Sequence, residues 1–430
     1  MPEVFDRLML TIAIATVMSV SGHAQERDTT DLEQIRQQVE AITRELEELR
    51  LGGDVVVAAD SGVQGFGPAA SKVYRVRQGV SIGGYGEVLY ENFDGSREDG
   101  IASSTTDRFD ALRAVVYVGY KFSDKLLLNS EIEFEHGSTS NAGSVSAEFL
   151  YLDYRLSPQF GLRGGLLLGP MGFINEIHEP PTFLGTRRPE TERVIIPSTW
   201  RENGVGVFGT VGSFNYRAYL MNGFDAAGFS GAGLRGGRQN GSEASARNFG
   251  GVGRVEYTGV LGLNVGTSAY AGNSGQGAAL PLSPTETLSA RTVIWEGHAE
   301  YKARGLDLRG LVALASLADA GLVNEVYGLT STASVGERML GWYVQGGYDV
   351  LRGSRSSHQL VPYLRYEQFN TQERVPAGFA ADPANDRRLI TLGAMWKPIP
   401  NISLKTDYQI TSTDAETGVN QLNVNLGYLF

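Results

Sequence analysis

From Val80 to the end of the chain, the sequence consists of strand-length runs in which apolar and polar residues alternate, and none of these runs shows a helical period. The last run, QLNVNLGYLF, alternates the apolar residues Leu422, Val424, Leu426, Tyr428 and Phe430 with mostly polar or small ones. Successive side chains of a strand point to opposite faces of a sheet, so each run has one apolar and one polar face. The pattern therefore predicts an all-β fold for this part of the chain.

The connections between these runs alternate in length. Short turns such as FSDK, LSPQ, VGSF and KPIPN are separated by longer polar segments, the longest of which spans residues 170–202. Antiparallel barrels of outer membranes have an even number of strands, short turns at one end and long loops at the other, and the count here is about 16 strands. We therefore predict a transmembrane antiparallel β-barrel over residues 79–430, with both termini on the short-turn, periplasmic side.

A soluble sandwich or β-helix would also contain many short strands. A sandwich, however, buries its apolar face against a second sheet and does not usually alternate short and long connections. Aromatic residues also lie near the strand ends of the apolar face, as an interfacial girdle requires: Phe122, Tyr154, Tyr257, Trp396 and Tyr428. These features favour the membrane barrel.

The residues before the barrel predict three further segments. The apolar run from Leu8 to Val20, followed by the small residues Gly22 and Ala24, predicts a signal peptide over residues 1–24, with a retained membrane anchor as the alternative. Residues 25–51 carry a heptad seam that predicts a short periplasmic coiled-coil helix, with an amphipathic helix packed on its own domain as the alternative: Leu32, Ile35, Val39, Ile42, Leu46 and Leu49. The glycine- and alanine-rich residues 52–78 predict a flexible linker.

Several functions are disfavoured by composition. The chain has no cysteine, which excludes thiolate metal sites and cysteine nucleophiles, and its formal charge of −11 disfavours a nucleic-acid partner. Metal binding by the closely spaced Glu176, His178 and Glu179 would rest on spacing alone. His298 shares the inward strand face with Glu296 and Glu300, as a carboxylate-oriented base would, but one histidine on a charged strand is more typical of a barrel wall. We therefore expect no catalytic residue, no metal and no cofactor.

A heptad helix, the first strand GGYGEVLYENF, about sixteen strands and the final GYLF together resemble the phosphate-selective porin O and P family and the dicarboxylate porins that carry a coiled coil. The resemblance implies a homotrimer in the bacterial outer membrane, in contact with its lipid and with the helix in the periplasm. It implies a water-filled channel for passive diffusion of small hydrophilic solutes, with anions such as phosphate or dicarboxylates as candidates. The last strand, ending in Phe430, resembles the signal read by the barrel-assembly machinery. The alternative is a non-conducting structural or surface-binding barrel.

In general porins a long ordered loop folds into the barrel and narrows it, and the resemblance assigns this role to Met171–Gly204, whose four prolines predict an ordered backbone. The candidate constriction residues are Arg187, Arg188, Arg193, Arg201, Glu176 and Glu190. A rigid extracellular cap or a trimer contact is the alternative role for this loop. Charges on the polar strand faces would line the pore and bias which ions pass. The candidate wall cations are Arg113, Arg155, Arg163, Arg217, Arg254, Arg309, Arg365 and Lys405.

Overall fold

The computed structural model describes residues 63, 65–137, 143–354 and 356–430. The predicted signal peptide, the predicted coiled-coil helix and most of the first half of the predicted linker lie outside the described residues. Among the residues that the structure describes, no helix is both long and apolar enough to cross a bilayer.

Sixteen strands form one closed barrel, in which each strand pairs with the next barrel strand and the first pairs with the last. All sixteen strand pairings of the barrel are antiparallel, including the one between the first and the last strand that closes it. The strands are β1 (Gly79–Phe93), β2 (Arg108–Lys121), β3 (Leu126–Glu135), β4 (Val145–Ser157), β5 (Phe160–Leu168), β6 (Arg201–Val211), β7 (Phe214–Asn222), β8 (Phe249–Tyr257), β9 (Leu263–Asn273), β12 (Arg291–Ala303), β13 (Leu306–Leu317), β14 (Arg338–Tyr348), β15 (Gln359–Arg374), β16 (Asp386–Ile399), β17 (Ile402–Thr413) and β18 (Gln421–Leu429). A separate hairpin of β10 (Ala279–Leu280) and β11 (Ser283–Thr287) lies in the connection after β9. The predicted barrel is confirmed.

The connections at the two ends of the barrel differ in length, as the sequence predicts. One end carries turns such as 158–159, 212–213 and 400–401, whereas the other carries the long connections 169–200 and 223–248. Among the described residues, the α-helices outside the strands are three short ones: α1 (Lys72–Arg75), α2 (Glu190–Val194) and α3 (Ala320–Val326). Five 3-10 helices accompany them: Pro180–Thr182, Ala226–Gly228, Arg235–Gly237, Ser331–Ala333 and Pro383–Asn385.

The barrel places apolar side chains outside and polar side chains inside. Along β18, Leu422, Val424 and Leu426 are about 40% exposed, whereas Asn423 and Asn425 on the opposite face are at most 1% exposed. This is the reverse of a soluble sheet, and it is the arrangement that a lipid-facing wall requires. The predicted girdle aromatics Phe122, Tyr154, Trp396 and Tyr428 are exposed on the outside, and Tyr257 is half-buried.

Residues 65–76, which we call the amino-terminal segment, differ from the flexible linker predicted for 52–78. Phe66, Ala69 and Val73 are at most 3% exposed, and Asn129 on β3 donates a hydrogen bond to the carbonyl of Ala70. A Cβ added at Gly119 of β2 would lie 2.6 Å from Val73 Cγ2. Small residues on both sides therefore let the segment pack closely against the inner wall, an interaction that no local periodicity reveals.

Candidate functional site

The connection 169–200, which we call the inner loop, folds into the barrel and contacts strands on many sides of it. Arg217 on β7 donates to Glu176 at 2.9 Å. Arg309 on β13 and Lys405 on β17 donate to loop carbonyls, each at 2.9 Å. Because these strands lie on different sides of the closed barrel, the loop crosses its interior.

An apolar core holds the inner loop in place. Met171, Ile174, Ile195 and Trp200 are fully buried, and the Trp200 ring stacks on Phe224 at 4.7 Å between centroids. Burying a large apolar side chain contributes about 1.5–3 kcal/mol relative to leaving it exposed. The loop is therefore a packed part of the barrel interior, in agreement with the ordered backbone predicted from its prolines.

The predicted constriction arginines differ in their partners. Arg187 pairs with Glu91 on β1, and Arg193 pairs with Glu190 one helical turn away. Arg201, at the start of β6, pairs with Glu148 on β4 at 3.0 Å. Burial by itself would raise the pKa of Glu190, but the positive charges of Arg193 and Arg187 hold this pKa below its ordinary value. The outer part of the loop thus carries paired charges of both signs.

Two arginines of the neighbouring connection 223–248 face the same region, and the sequence analysis did not identify them. Arg235 donates to the carbonyl of Arg193, and Arg238 donates to the carbonyl of Thr199. Neither makes an ion pair with a carboxylate among the described residues. Burial and neighbouring arginines lower the pKa of both guanidinium groups. We call Arg187, Arg188, Arg193, Arg235 and Arg238 the arginine cluster.

Within the described chain, no carboxylate lies at ion-pair distance from Arg188. Two nitrogens of its guanidinium group also make no hydrogen bond there. Its Nε and Nη2 are buried, and the side chain interacts electrostatically with Glu131 and Glu148. Arg188, Arg235 and Arg238 thus lack a carboxylate at ion-pair distance within the part of the chain that the structure describes.

All eight predicted wall cations point inward, and each contacts an acidic residue, the inner loop or the amino-terminal segment. Arg113 pairs with Glu87, Arg163 with Asp153, Arg217 and Arg254 with Glu256, Arg309 with Glu300 and Arg365 with Glu367. Arg155 lies over the ring of Tyr74, and Lys405 lies 3.8 Å from the ring centre of Phe183. These cations therefore hold the inner segments to the wall in addition to lining it.

The closely spaced Glu176, His178 and Glu179 do not converge on one point. Glu176 pairs with Arg217, and Glu179 accepts hydrogen bonds from the backbone N–H groups of Ala69 and Ala70 at 3.1 and 3.0 Å. Burial raises the pKa of Glu179 to about 7. His178 turns to a different pair of carboxylates, Glu131 and Glu148, with its Nε2 at 3.2 and 3.3 Å from them.

Glu148 was missed by the sequence analysis because a β-bulge changes the phase of β4. Strict alternation with Leu150 places Glu148 on the lipid face, yet Glu148 and Phe149 are both buried inside. The register shifts here, since Glu131 pairs with Phe149 whereas Ile132 pairs with Ala147. A glutamate assigned to a lipid-facing position is costly, and that conflict is the sequence signal that could have indicated the bulge.

His298 belongs to the wall. Its Nδ1 lies 2.8 Å from Glu296, and its Nε2 lies 3.1 Å from an Arg254 nitrogen. Its ring also packs edge-on against Phe173 of the inner loop. All of these partners are structural contacts within the barrel interior.

Comparison with known proteins identifies one relative by sequence and several by fold. No protein-family model matches the chain. An uncharacterised protein of Aquifex aeolicus is 38% identical over 359 residues, covering 80% of this chain and 78% of that protein. The fold resembles that of the trimer form of OmpT from Vibrio cholerae, with a TM-score of 0.51 and 14% identity over 82% of this chain and 99% of that one.

Two further structures share the fold. The outer membrane channel DcaP of Acinetobacter baumannii has a TM-score of 0.52 and 12% identity, over 82% of this chain and 97% of that one. The anion-selective porin of Comamonas acidovorans has a TM-score of 0.50 and 14% identity, over 82% and 99%. At these identities the likeness establishes the fold, which is that of outer-membrane porins.

Proposed function

We propose that this chain, which belongs to the same family as its Aquifex aeolicus relative, is an outer-membrane porin through which small hydrophilic solutes diffuse passively. The observation that carries this proposal is a closed barrel of sixteen strands with an arginine-bearing loop across its interior. Barrels of about sixteen strands are wide enough for an aqueous channel, whereas those of about eight are filled by side chains.

The arginine cluster supports a preference for anions. Arg235 and Arg238 bring positive charge to the inner loop without ion-pair partners among the described residues. Arg188 adds a third guanidinium with no carboxylate at ion-pair distance there, although the buried Glu131 and Glu148 interact with it electrostatically. A narrow passage with low-dielectric walls strengthens the effect of such charges on a passing ion. Phosphate and dicarboxylates are the candidate solutes, and membership in the phosphate-selective O and P family or the dicarboxylate porins stays a prediction.

The location and assembly belong to the same proposal. The exposed apolar outer wall would contact outer-membrane lipid, and the predicted helix would lie in the periplasm. The last strand, which ends at Phe430, would be read by the barrel-assembly machinery. We also propose a homotrimer, the form in which the similar Vibrio cholerae OmpT has been solved.

A non-conducting structural barrel is the second candidate, and the packed interior favours it. The amino-terminal segment and the inner loop are largely buried, and both hydrogen-bond to the wall.

Single-channel recording in planar bilayers tests the choice. A porin gives stepwise conductance from the purified protein, and the arginine cluster predicts a reversal potential that reports anion preference in a salt gradient. Replacing Arg188, Arg235 and Arg238 with glutamine should shift this potential toward cations. The matched control replaces Arg338, Arg374 and Arg388 with glutamine, which removes three charges from exposed ion pairs. Folded protein that never conducts would support the structural barrel, and an unchanged potential in conducting variants would remove the cluster from the permeation path.

A further inference from the structure

Three ligand-type side chains from different parts of the chain meet inside the barrel. They are Glu131 on β3, Glu148 on β4 and His178 on the inner loop, and all three are at most 2% exposed. One ligand atom from each lies within 4.8 Å of the others. The cluster therefore joins two wall strands to the loop at one buried point.

Some buried oxygen atoms of this cluster have no hydrogen-bond partner among the described residues. His178 Nδ1 lies 3.3 Å from the carbonyl oxygen of Asn175, which can only accept, so Nδ1 carries a proton. In the neutral imidazole, Nε2 then presents a lone pair to two carboxylates at 3.2 and 3.3 Å. Glu148 Oε2 and Glu131 Oε2 are buried with no hydrogen-bond partner among the described residues. A single Nε2 proton cannot satisfy both carboxylates, but a cation can contact all three groups.

We propose that Glu131, Glu148 and His178 bind one divalent transition-metal ion, for which zinc is the best match. Ligand atoms at ~2.0–2.1 Å from a tetrahedral zinc stand about 3.3 Å apart, close to the observed separations of Nε2 from the two carboxylates. An imidazole nitrogen with two carboxylates suits zinc and its transition-metal neighbours better than magnesium or calcium, which prefer oxygen ligands alone. The fourth position is left for water.

The surroundings orient the ligands as outer partners of a metal site do. The carbonyl of Asn175 fixes the ring of His178, and Arg201 donates to Glu148 Oε1 at 3.0 Å, which leaves Oε2 free to face the imidazole. Such outer contacts hold ligand atoms in the orientation that a metal needs. The β-bulge supports the same conclusion, because it is what turns Glu148 away from lipid and into the cluster.

The local charges allow a cation in spite of nearby arginines. The carboxylates of Glu131 and Glu148 interact electrostatically with each other and with the nearby carboxylates of Glu133 and Glu179. The guanidinium groups that act on them are Arg188, Arg201 and Arg238. Either a metal ion between Glu131 and Glu148 or a second proton on His178 would offset the repulsion of these two carboxylates, and an experiment can separate the two.

Isothermal titration calorimetry with zinc alone, on metal-free protein in detergent near neutral pH, is the test. Because the site is buried, zinc is also added during refolding from urea, with bound metal counted after gel filtration. We expect one zinc per protomer, with magnesium failing to compete. His178→Gln and Glu148→Gln should weaken zinc binding by at least about 100-fold, beyond the 10–100-fold typical of losing an outer-shell partner. The control is His298→Gln, which removes another buried histidine beside two glutamates and should leave zinc binding unchanged.

Two spectroscopic measurements on the unmodified protein test the site even when a variant does not fold. Barrel folding is checked for each variant by its heat-modifiable mobility on gels. Cobalt added to unmodified protein should give visible absorption bands of a tetrahedral site, and X-ray absorption of the zinc form should show one imidazole among oxygen ligands. Absence of stoichiometric zinc, or zinc retained by folded His178→Gln, would overturn the proposal.

Discussion

Arg163 shows how a single wall residue can join three parts of the molecule. Its guanidinium makes two hydrogen bonds to Asp153, at 2.7 and 2.9 Å, and both side chains are at most 3% exposed. It also donates to the hydroxyls of Tyr74 in the amino-terminal segment and Tyr219 on β7. The guanidinium group also lies over the ring of Phe66. Its positive charge is therefore buried together with a carboxylate and two hydroxyl groups that bind it.

Arg163→Ala should therefore destabilise the barrel strongly. Removing one partner of a buried pair leaves the other charge uncompensated and costs about 3–5 kcal/mol. Arg388→Ala is the matched control, because its pair with Asp414 is about half exposed and such surface pairs contribute about 0–1 kcal/mol. Denaturant unfolding of both variants in detergent micelles gives the two losses. Similar losses would mean that the Arg163 network contributes no more than a surface pair.

Protonation of Glu190 should make the ion selectivity of the proposed channel depend on pH. Its pKa lies below the ordinary 4.5 because Arg193 and Arg187 outweigh the opposing effect of burial. The contribution of its ion pairs is therefore fully present above about 4.5 and is lost as the pH falls through the lowered pKa. Because the arginines stay charged throughout, acid should leave the arginine cluster more positive and increase the preference for anions.

Glu190→Gln should reproduce the acid behaviour at neutral pH and reduce the change on acidification. Reversal potentials of the variant and the unmodified protein, measured from neutral to acidic pH, test this. Glu416→Gln, an exposed change of the same charge in the connection after β17, is the control. Identical pH profiles for Glu190→Gln and the unmodified protein would exclude Glu190 as the source.

At the level of single elements, the strands were predictable and the segments inside the barrel were not. A lipid-facing strand such as β18 shows its period in its own sequence, because every second residue meets lipid. The amino-terminal segment packs through contacts between residues far apart in sequence, such as Val73 with Gly119, and no local pattern encodes them. The same holds for the bulge at Glu148 and for Arg235 and Arg238, whose neighbours come from other connections. The ion pair of Arg187 with Glu91 also joins residues far apart in sequence.

Gly119→Val should release the amino-terminal segment from the wall. Valine is well suited to a strand, but its Cβ would overlap Val73, whose Cγ2 would lie only 2.6 Å away. We expect limited proteolysis to cut within residues 65–78 of the variant and single-channel conductance to increase. Gly251→Ala is the control, since a Cβ there meets no atom within 4 Å. Continued protection from protease would show that the segment adapts to the larger side chain and stays docked.

On the scale of the whole molecule, the lipid-facing wall and the packed interior have different tasks. The outer apolar side chains fix the barrel in the membrane, whereas the interior charges of Arg217, Arg309 and Lys405 fix the inner loop in the barrel. Any solute path must therefore pass between segments that are held by hydrogen bonds and ion pairs, and such contacts weaken in water more readily than an apolar core does. This places the expected control of permeation in the interior segments and leaves the wall as a stable frame.

The heptad seam predicted for residues 25–51, which lie outside the described residues, should contribute to the assembly of a trimer. About three heptads are too short to be stable alone, so the barrels should contribute most of the trimer contact and the helix a smaller part. Val39→Asp with Ile42→Asp would bury two charges in the seam and should lower the temperature at which cross-linked trimers disappear, without abolishing them. Gln34→Glu with Gln37→Glu changes charge outside the seam and serves as the control. Chemical cross-linking followed by mass determination gives the result, and monomers alone from the unmodified protein would contradict the trimer. Trimers that are equally stable in both variants would instead assign all of the contact to the barrel walls.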